Sequence, residues 1–252
     1  MGYRGGNLEV QLKPGDEPVT IADKKASDLI VGGLQTAFPN DVVISEENAD
    51  DPKRLTAKRV WYVDPIDGTK DFIRGEDGFC VMIGLTVDHR PVVGIVYHPP
   101  TQDLYLAAPD SGAWMLPTGS NPIRLKVSTI NELASSRLVA SKSHRDETID
   151  RAKSALGISD ELNIGSIGLK LAIIAAGDRD LYLNPSSHCS SWDTCAPEAI
   201  LVEAGGRLSD IHGEPLSYHA EGTKHLRGLM ASNGHLHDAS VAKVGPLFAE
   251  LK

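Results

Sequence analysis

Residues 60–69 read Val60-Trp61-Tyr62-Val63-Asp64-Pro65-Ile66-Asp67-Gly68-Thr69 and place two aspartates on either side of a short turn. The apolar run before Asp64 predicts a buried strand that delivers this carboxylate to its C-terminal end. Pro65 holds Asp64 in an extended conformation, and Gly68 gives the backbone freedom to turn. The two carboxylates, three residues apart across a tight turn, can therefore face one point.

Two interpretations of this turn stay open at the level of its residues. Paired carboxylates and a turn carbonyl suit a hard divalent cation such as Mg²⁺, which takes oxygen ligands. Thr69 then opens a segment whose N–H groups can hold a phosphate oxygen. An Asx-turn followed by a helix N-cap explains the same residues without any ligand.

Three further acidic sites lie at the ends of predicted strands or the starts of predicted helices. Asp193 precedes a predicted helix with Pro197 in its first turn, and an N-cap role alone would explain it. Glu46 follows the predicted strand Val42–Ile44 and could lie in a solvated loop. Asp23 could complete a capping box with Thr20. Because α/β folds bind ligands at such positions, the four sites together predict a common ligand site.

Composition and charge exclude several functional classes. The 25 Lys and Arg against 34 Asp and Glu give a net charge of −9, which argues against binding to nucleic acid or an anionic membrane. The longest apolar runs, Leu171–Gly177 and Phe79–Leu85, are far shorter than the roughly 20 residues of a membrane span. The three cysteines have no C-x-x-C spacing, so we expect a reduced, cytoplasmic compartment.

Hydrophobic patterning predicts an α/β protein with an α+β N-terminal half and an α/β C-terminal half. The first half is expected to hold a helix that ends near Ala37 and a mainly antiparallel sheet, with strands at Val42–Ile44, Val60–Val63, Phe79–Val87, Val92–Tyr97, Leu104–Ala107 and Ala113–Leu116. The second half is expected to alternate helices at Asp146–Leu156, Ile167–Ala176 and Thr194–Ala204 with strands at Leu162–Ile164, Leu181–Leu183 and Leu229–Ser232. The loop region Ser128–Ser141 separates them, which predicts subdomains at 1–135, with the Asp-Pro-Ile-Asp-Gly-Thr site, and 136–252, with the Trp-Asp site.

Motifs of other chemistries are absent or misplaced. The sequence has no G-x-S-x-G elbow, Walker A lysine, G-x-G-x-x-G or H-E-x-x-H. An aspartyl-phosphate loop would need Asp-x-Asp-Gly-Thr, whereas Asp64 and Asp67 are separated by two residues.

Together, the Asp-Pro-Ile-Asp-Gly-Thr stretch and Trp192-Asp193 resemble the inositol monophosphatase superfamily over nearly the whole chain. The resemblance implies magnesium-dependent, lithium-sensitive phosphomonoesterases with a layered αβαβα fold. Later segments are most similar to 3′(2′),5′-bisphosphate nucleotidases, at Ser141–His144, Trp192–Glu198, Gly205–Gly213 and Leu216–His219. Such enzymes remove the 3′-phosphate of adenosine 3′,5′-bisphosphate, a by-product of sulfate assimilation. These relatives also carry a longer N-terminal helical segment before the position of Asp23.

The resemblance implies roles for individual residues. The implied ligands of two or three Mg²⁺ ions, for which Mn²⁺ can substitute, are Glu46, Asp64, Asp67, Asp193 and the Ile66 carbonyl. Asp23 and Thr69 resemble the pair that orients the attacking water. The implied phosphate and substrate contacts are Gly68, Thr69, His144, Ser166 and Lys170.

The expected function is therefore hydrolysis of adenosine 3′,5′-bisphosphate by a cytoplasmic monomer or homodimer that acts on a small phosphorylated substrate. The same chemistry on inositol phosphates is the first alternative. A non-catalytic metal-binding or interaction protein is the second, and the intact acidic residues argue against it. Lys170 is expected to hold the 5′-phosphate, with an ordinary solvated helix lysine as the alternative.

Overall fold

The computed structural model describes residues 8–13, 18–142 and 147–251. The first half of the chain is mostly strand, with two helices. Its elements are β1 (Gln11–Leu12), β2 (Pro18–Val19), α1 (Ile21–Ala37), β3 (Val42–Ser45), β4 (Arg59–Asp67), α2 (Thr69–Ile73), β5 (Cys80–Val87), β6 (Arg90–His98), β7 (Asp103–Ala108), β8 (Gly112–Leu116) and β9 (Ile123–Arg124).

The second half alternates strands and helices, as its pattern predicts. Its elements are β10 (Arg137–Ser141), α3 (Glu147–Leu156), β11 (Asp160–Ile164), α4 (Ile167–Ala175), β12 (Leu181–Asn184), α5 (Ser191–Glu203), β13 (Arg207–Ser209), β14 (Leu229–Ser232) and α6 (His237–Val244). Short 3₁₀ turns lie at Pro52–Leu55, Leu133–Ser135 and Gly245–Phe248.

The seven-stranded and five-stranded sheets and three groups of helices form five layers, and β1 pairs with β2 in a separate two-stranded sheet. The larger sheet runs from β3 to β9 in chain order, with only the β3–β4 pair parallel. The smaller sheet has the order β11-β10-β12-β14-β13. Helix α1 packs on β3 and β4, α5 contacts β4 to β8 as well as α4, and α6 contacts β14 and α3. This arrangement confirms the predicted αβαβα sandwich.

Helix α5 lies very close to the larger sheet because two facing strand positions are glycines. A Cβ on Gly84 would lie 2.6 Å from the backbone nitrogen of Ala196, and one on Gly94 would overlap the Ala196 carbonyl oxygen. The facing residues of α5, Cys195 and Ala196, are fully buried. The glycines therefore fix the depth at which α5 packs, and with it the position of its first turn.

One buried cluster joins the two halves. It includes Ile44 and Tyr62 from the larger sheet and Val139 and Tyr182 from the smaller one. The two sheets lie on either side of residue 135, whereas the core is continuous across that point. The predicted subdomains 1–135 and 136–252 stay a prediction.

The predicted elements are confirmed with ends that shift by at most four residues, and the two largest shifts have local causes. The sequence pattern does not predict β1, β2, β9, β10, β13 and α6 as separate elements. Strand β4 continues past Val63 to Asp67 because pairing with β5 resumes after a register shift. Helix α5 begins at Ser191 rather than Thr194, since the Ser190 N–H donates to the Asp193 side chain in a capping box. Asp193 is thus the third residue of the helix, and Pro197 lies inside it.

Within the described residues, no helix combines the length and the hydropathy that crossing a bilayer requires.

We expect Gly94→Ala to lower the stability of the protein, because the new methyl group would overlap the Ala196 carbonyl oxygen. The expected loss is about 1–3 kcal/mol of unfolding free energy, measured by urea denaturation. Gly32→Ala is the matched control, because Gly32 lies within α1 and no atom of the residues that the structure describes lies within 4 Å of the added Cβ. This substitution should stabilise the protein by roughly 0.5–1 kcal/mol. Equal midpoints for wild type and Gly94→Ala would show that α5 does not depend on this close approach.

Candidate metal centre

A register shift in the β4–β5 pair brings Asp64 and Asp67 to the same side of the sheet. Asp64 pairs with Met82 and Asp67 with Cys80, so three steps along β4 match two along β5. In a regular strand, residues three apart point to opposite faces. The extra residue reverses that alternation, and the Asp64 carboxylate accepts a 3.0 Å hydrogen bond from the Ile66 N–H within the turn.

Asp193 completes the acidic group from the first turn of α5. Ligand oxygens of Asp64, Asp67 and Asp193 all lie within 4.8 Å of one another. The donors are all oxygens, the set that suits a hard divalent cation such as Mg²⁺. The group brings together residues 126 positions apart in the chain (193 − 67).

Burial and mutual repulsion make the ionised form of these carboxylates unfavourable when no cation is bound. Burial raises the pKa of Asp64 well above its usual range, and the neighbouring carboxylates of Glu46, Asp67 and Asp193 raise it further. Burial also raises the pKa of Asp67, although hydrogen bonds from Ser166 and the Gly168 N–H oppose this rise. A bound cation would offset both effects, so the residues present fit a metal ion.

Asp67 is held by the start of α4. Its Oδ2 accepts hydrogen bonds from the Ser166 hydroxyl at 2.6 Å and from the Gly168 N–H at 2.8 Å. The same hydroxyl accepts from the Leu169 N–H at 3.0 Å and so caps α4. Ser166 is fully buried, and its hydroxyl holds Asp67 in place. A direct contact between Ser166 and the substrate stays a prediction.

Glu46 lies beside this group and is paired with a lysine. The Lys13 ammonium is 2.8 Å from Glu46 Oε1 and 2.6 Å from Glu47 Oε1. Burial raises the pKa of Glu46, and Lys13 opposes that rise. Glu46 does not belong to the group formed by Asp64, Asp67 and Asp193, whose ligand oxygens lie within 4.8 Å of one another. The role of Glu46 as a fourth metal ligand stays a prediction. A cation bound to Glu46 would compete with the Lys13 ammonium for the same carboxylate.

Thr69 links Asp23 to the Ile66 carbonyl. Its hydroxyl lies 3.2 Å from Asp23 Oδ1 and 3.0 Å from the Ile66 oxygen. The second oxygen of Asp23 accepts from the Thr20 N–H at 2.8 Å and completes the capping box of α1. The capping role and the predicted link to Thr69 therefore use different oxygens of one carboxylate.

The remaining residues predicted to contact substrate, Gly68, Lys170 and His144, differ in their surroundings. Gly68 has φ +95°, and a Cβ there would lie 2.5 Å from the Gly78 oxygen, so only glycine fits this turn. Lys170 is 1% exposed, and its ammonium donates to the Gly165 carbonyl at 2.9 Å and the Ile164 carbonyl at 3.3 Å. This burial excludes the solvated-lysine alternative. His144 lies outside the described residues.

A cavity of about 510 Å³ opens over the acidic group. Its walls include Asp64, Asp67, Thr69, Lys170 and Asp193. Sequence reasoning missed several other lining residues, because no local pattern marks them; among them are Lys13, Lys70, Asp71, His188 and Lys224. A second cavity of about 660 Å³, beside His212 and Arg227, contains none of the predicted site residues.

Comparison with known proteins agrees with this geometry. A profile of the inositol monophosphatase family matches residues 2–245. The chain belongs to the inositol monophosphatase family. The 3′(2′),5′-bisphosphate nucleotidase CysQ of Salmonella typhimurium is 37% identical over 216 residues, which cover 84% of this chain and 83% of that protein. Inositol monophosphatase 2 of Solanum lycopersicum is 33% identical over 234 residues, covering 88% and 83%.

Among solved structures, an inositol monophosphatase (IMPase) of Thermotoga maritima superposes with a TM-score of 0.83 at 25% identity. The match covers all of this chain and 93% of that one. Family membership, curated relatives and structural neighbours all identify a phosphatase, so the chain is a phosphoric monoester hydrolase.

We expect Ser166→Ala to weaken metal binding, because Asp67 loses the hydroxyl that orients it. The loss of such a supporting bond typically lowers metal affinity on the order of 10-fold or more, and Mn²⁺ titration followed by electron paramagnetic resonance measures it directly. Ser240→Ala is the control, since Ser240 is equally buried and its hydroxyl has no hydrogen-bond partner among the described residues. Unchanged Mn²⁺ affinity in Ser166→Ala would mean that Asp67 is positioned without this bond.

Proposed function

We propose that the protein is a magnesium-dependent phosphatase that converts adenosine 3′,5′-bisphosphate to adenosine 5′-monophosphate and phosphate. The observation that carries the proposal is the group of Asp64, Asp67 and Asp193 oxygens within 4.8 Å, at the base of a cavity that also contains Thr69. In this proposal the enzyme is cytoplasmic, acts as a monomer or homodimer, and disposes of a by-product of sulfur metabolism.

Mg²⁺, or Mn²⁺ in its place, would be held by Asp64, Asp67, Asp193, Glu46 and the Ile66 carbonyl. When bound, the ions would supply positive charge that favours ionisation of the attacking water and stabilises the negative charge on the phosphate oxygens. Every one of these protein ligands offers oxygen, in keeping with the preference of both ions.

Thr69 and Asp23 are proposed to orient the attacking water. Because the Thr69 hydroxyl proton is directed to Asp23 or to the Ile66 carbonyl, a lone pair of that hydroxyl is left to accept a hydrogen bond from the attacking water. The proton that the water loses can then pass through Thr69 to Asp23. The oriented oxygen attacks phosphorus, the bond from phosphorus to the ribose 3′-oxygen breaks, and that oxygen takes up a proton from solvent water to give the 3′-hydroxyl. Gly68 and Thr69 would hold the phosphate at the turn.

Similarity to both groups of relatives leaves inositol phosphates as the second candidate substrates. The CysQ nucleotidases reach 37% identity and the plant inositol monophosphatases reach 33–34%. We favour the nucleotide because the CysQ relatives have the higher identity and because residues 192–198 and 216–219 resemble the corresponding segments of bisphosphate nucleotidases.

We expect phosphate release from adenosine 3′,5′-bisphosphate to exceed release from inositol 1-phosphate and to stop when a chelator removes Mg²⁺. Asp67→Asn should lower kcat on the order of a hundredfold or more, since it removes one negative charge from the proposed ligands. Asp110→Asn, an exposed substitution with the same charge change, is the control. Wild-type turnover in Asp67→Asn would contradict the metal assignment, and faster release from inositol 1-phosphate would favour the second candidate.

We also expect lithium chloride to inhibit turnover at concentrations where sodium chloride of equal ionic strength does not. The expectation follows from the family resemblance, and initial rates in matched salt series measure it. Equal effects of the two salts would indicate that the metal site differs from that of the lithium-sensitive phosphatases.

A further inference from the structure

Four lysines line the cavity over the acidic group, and the structure uses them differently. Lys13 is paired with Glu46 and Glu47, and Lys170 is buried against the Ile164 and Gly165 carbonyls. Lys70 directly follows Thr69, at the end where the scissile phosphate is expected. Lys224 is exposed at the cavity and forms no ion pair with another described residue.

The backbone on both sides of Lys224 is fixed by hydrogen bonds from distant parts of the chain. The fully buried guanidinium of Arg54 donates to the Ala220 carbonyl at 3.1 Å and the Gly222 carbonyl at 2.8 Å. The Thr223 carbonyl accepts from the Ser191 N–H at 2.8 Å. Lys224 itself forms an isolated bridge with Ser190, so its backbone is attached to the N-terminus of α5.

A buried side-chain network continues this attachment below the surface. The Tyr218 hydroxyl lies 2.6 Å from Glu198 Oε2 and 3.0 Å from Thr194 Oγ1, and Thr194 is 2.8 Å from His225 Nε2. Burial raises the pKa of Glu198 to about 7 and lowers that of His225 to about 4, which shows how far these groups are removed from water. Residues 218–225 are therefore held in a fixed position relative to Asp193.

We propose that Lys224 binds an anionic group of the substrate other than the phosphate that is cleaved, namely the second phosphate of a bisphosphate. This inference rests on the proposed function. In a protein of charge −9 whose cavity is lined with carboxylates, a second phosphate needs a local cation. Lys224 would meet that need without breaking an ion pair with any described residue, whereas Lys170 would first have to leave the carbonyls of Ile164 and Gly165.

The fixed position of residues 218–225 also explains why contact with Lys224 would favour a bisphosphate over a monophosphate. Binding energy that a non-reacting part of the substrate contributes equally in the ground state and in the transition state lowers KM and leaves kcat unchanged. Because residues 218–225 are fixed before substrate arrives, little ordering of the backbone accompanies that contact. Lys224 would therefore act as a specificity-determining residue.

The test compares Lys224→Gln with wild type on adenosine 3′,5′-bisphosphate and on adenosine 3′-monophosphate, which lacks the second phosphate. We expect KM for the bisphosphate to rise on the order of tenfold, with kcat unchanged and with both constants for the monophosphate unchanged. Lys224→Arg should restore most of the affinity. Lys243→Gln is the charge-matched control, because Lys243 is an exposed residue of α6 away from the cavity. Inhibition by adenosine 5′-monophosphate should weaken in Lys224→Gln in the same proportion as substrate binding.

Other outcomes overturn this inference separately from the proposed function. Equal KM increases on both substrates, or an unchanged KM for the bisphosphate, would exclude Lys224 as the phosphate contact. A bisphosphate-selective loss in Lys170→Ala without one in Lys224→Gln would assign the contact to Lys170. If the wild type hydrolyses inositol phosphates instead, the proposed nucleotide substrate is wrong, and the same comparison with an inositol bisphosphate and monophosphate decides the role of Lys224.

Discussion

The repulsion between three neighbouring carboxylates, two of them buried and one half-buried, is the constraint on which the rest of this structure depends. Ligand oxygens of Asp64, Asp67 and Asp193 lie within 4.8 Å of one another, and three ionised carboxylates at that separation repel one another. Each has one oxygen fixed by the protein: Asp64 by the Ile66 N–H, Asp67 by Ser166 and Gly168, and Asp193 by the Ser190 N–H. These bonds orient the carboxylates before any cation arrives. The electrostatic repulsion among the carboxylates destabilises the folded state, and packing in the surrounding fold offsets it.

Three separate elements, β4, α4 and α5, position these carboxylates. The layers must therefore pack together before the site exists. Strand β4 brings two carboxylates, the start of α4 holds one of them, and α5 brings the third. Gly84 and Gly94 let α5 approach the sheet, and the large apolar cluster spans both halves of the chain. The acidic group is consequently a property of the assembled sandwich and would not form in either half alone.

The sequence predicts the elements and acidic residues of this site better than it predicts their contacts. The apolar strand before Asp64 and the alternating second half are local patterns, so they could be recognised without tertiary information. The register shift between Asp64 and Asp67 depends on which residues of β5 lie opposite, and the bond from Ser166 to Asp67 spans 99 positions. The burial of Lys170 depends likewise on packing against Tyr182, whose ring centroid lies 5.1 Å from the ammonium. No local pattern carries these contacts.

Helix capping and ligand binding, which compete as explanations at the level of sequence, are compatible in the structure. Asp23 and Asp193 each occupy the third position of a helix whose N-cap N–H donates to their side chain. The cap uses one carboxylate oxygen, Oδ2 in both residues. For Asp23 the other oxygen accepts from Thr69, and for Asp193 the capped side chain still lies within reach of Asp64 and Asp67. Capping removes rotational freedom from the carboxylate, so a helix start is a position at which an acidic side chain is oriented in advance. An aspartate in a capping box is therefore no weaker a candidate for a site residue, and its function depends on what the second oxygen faces.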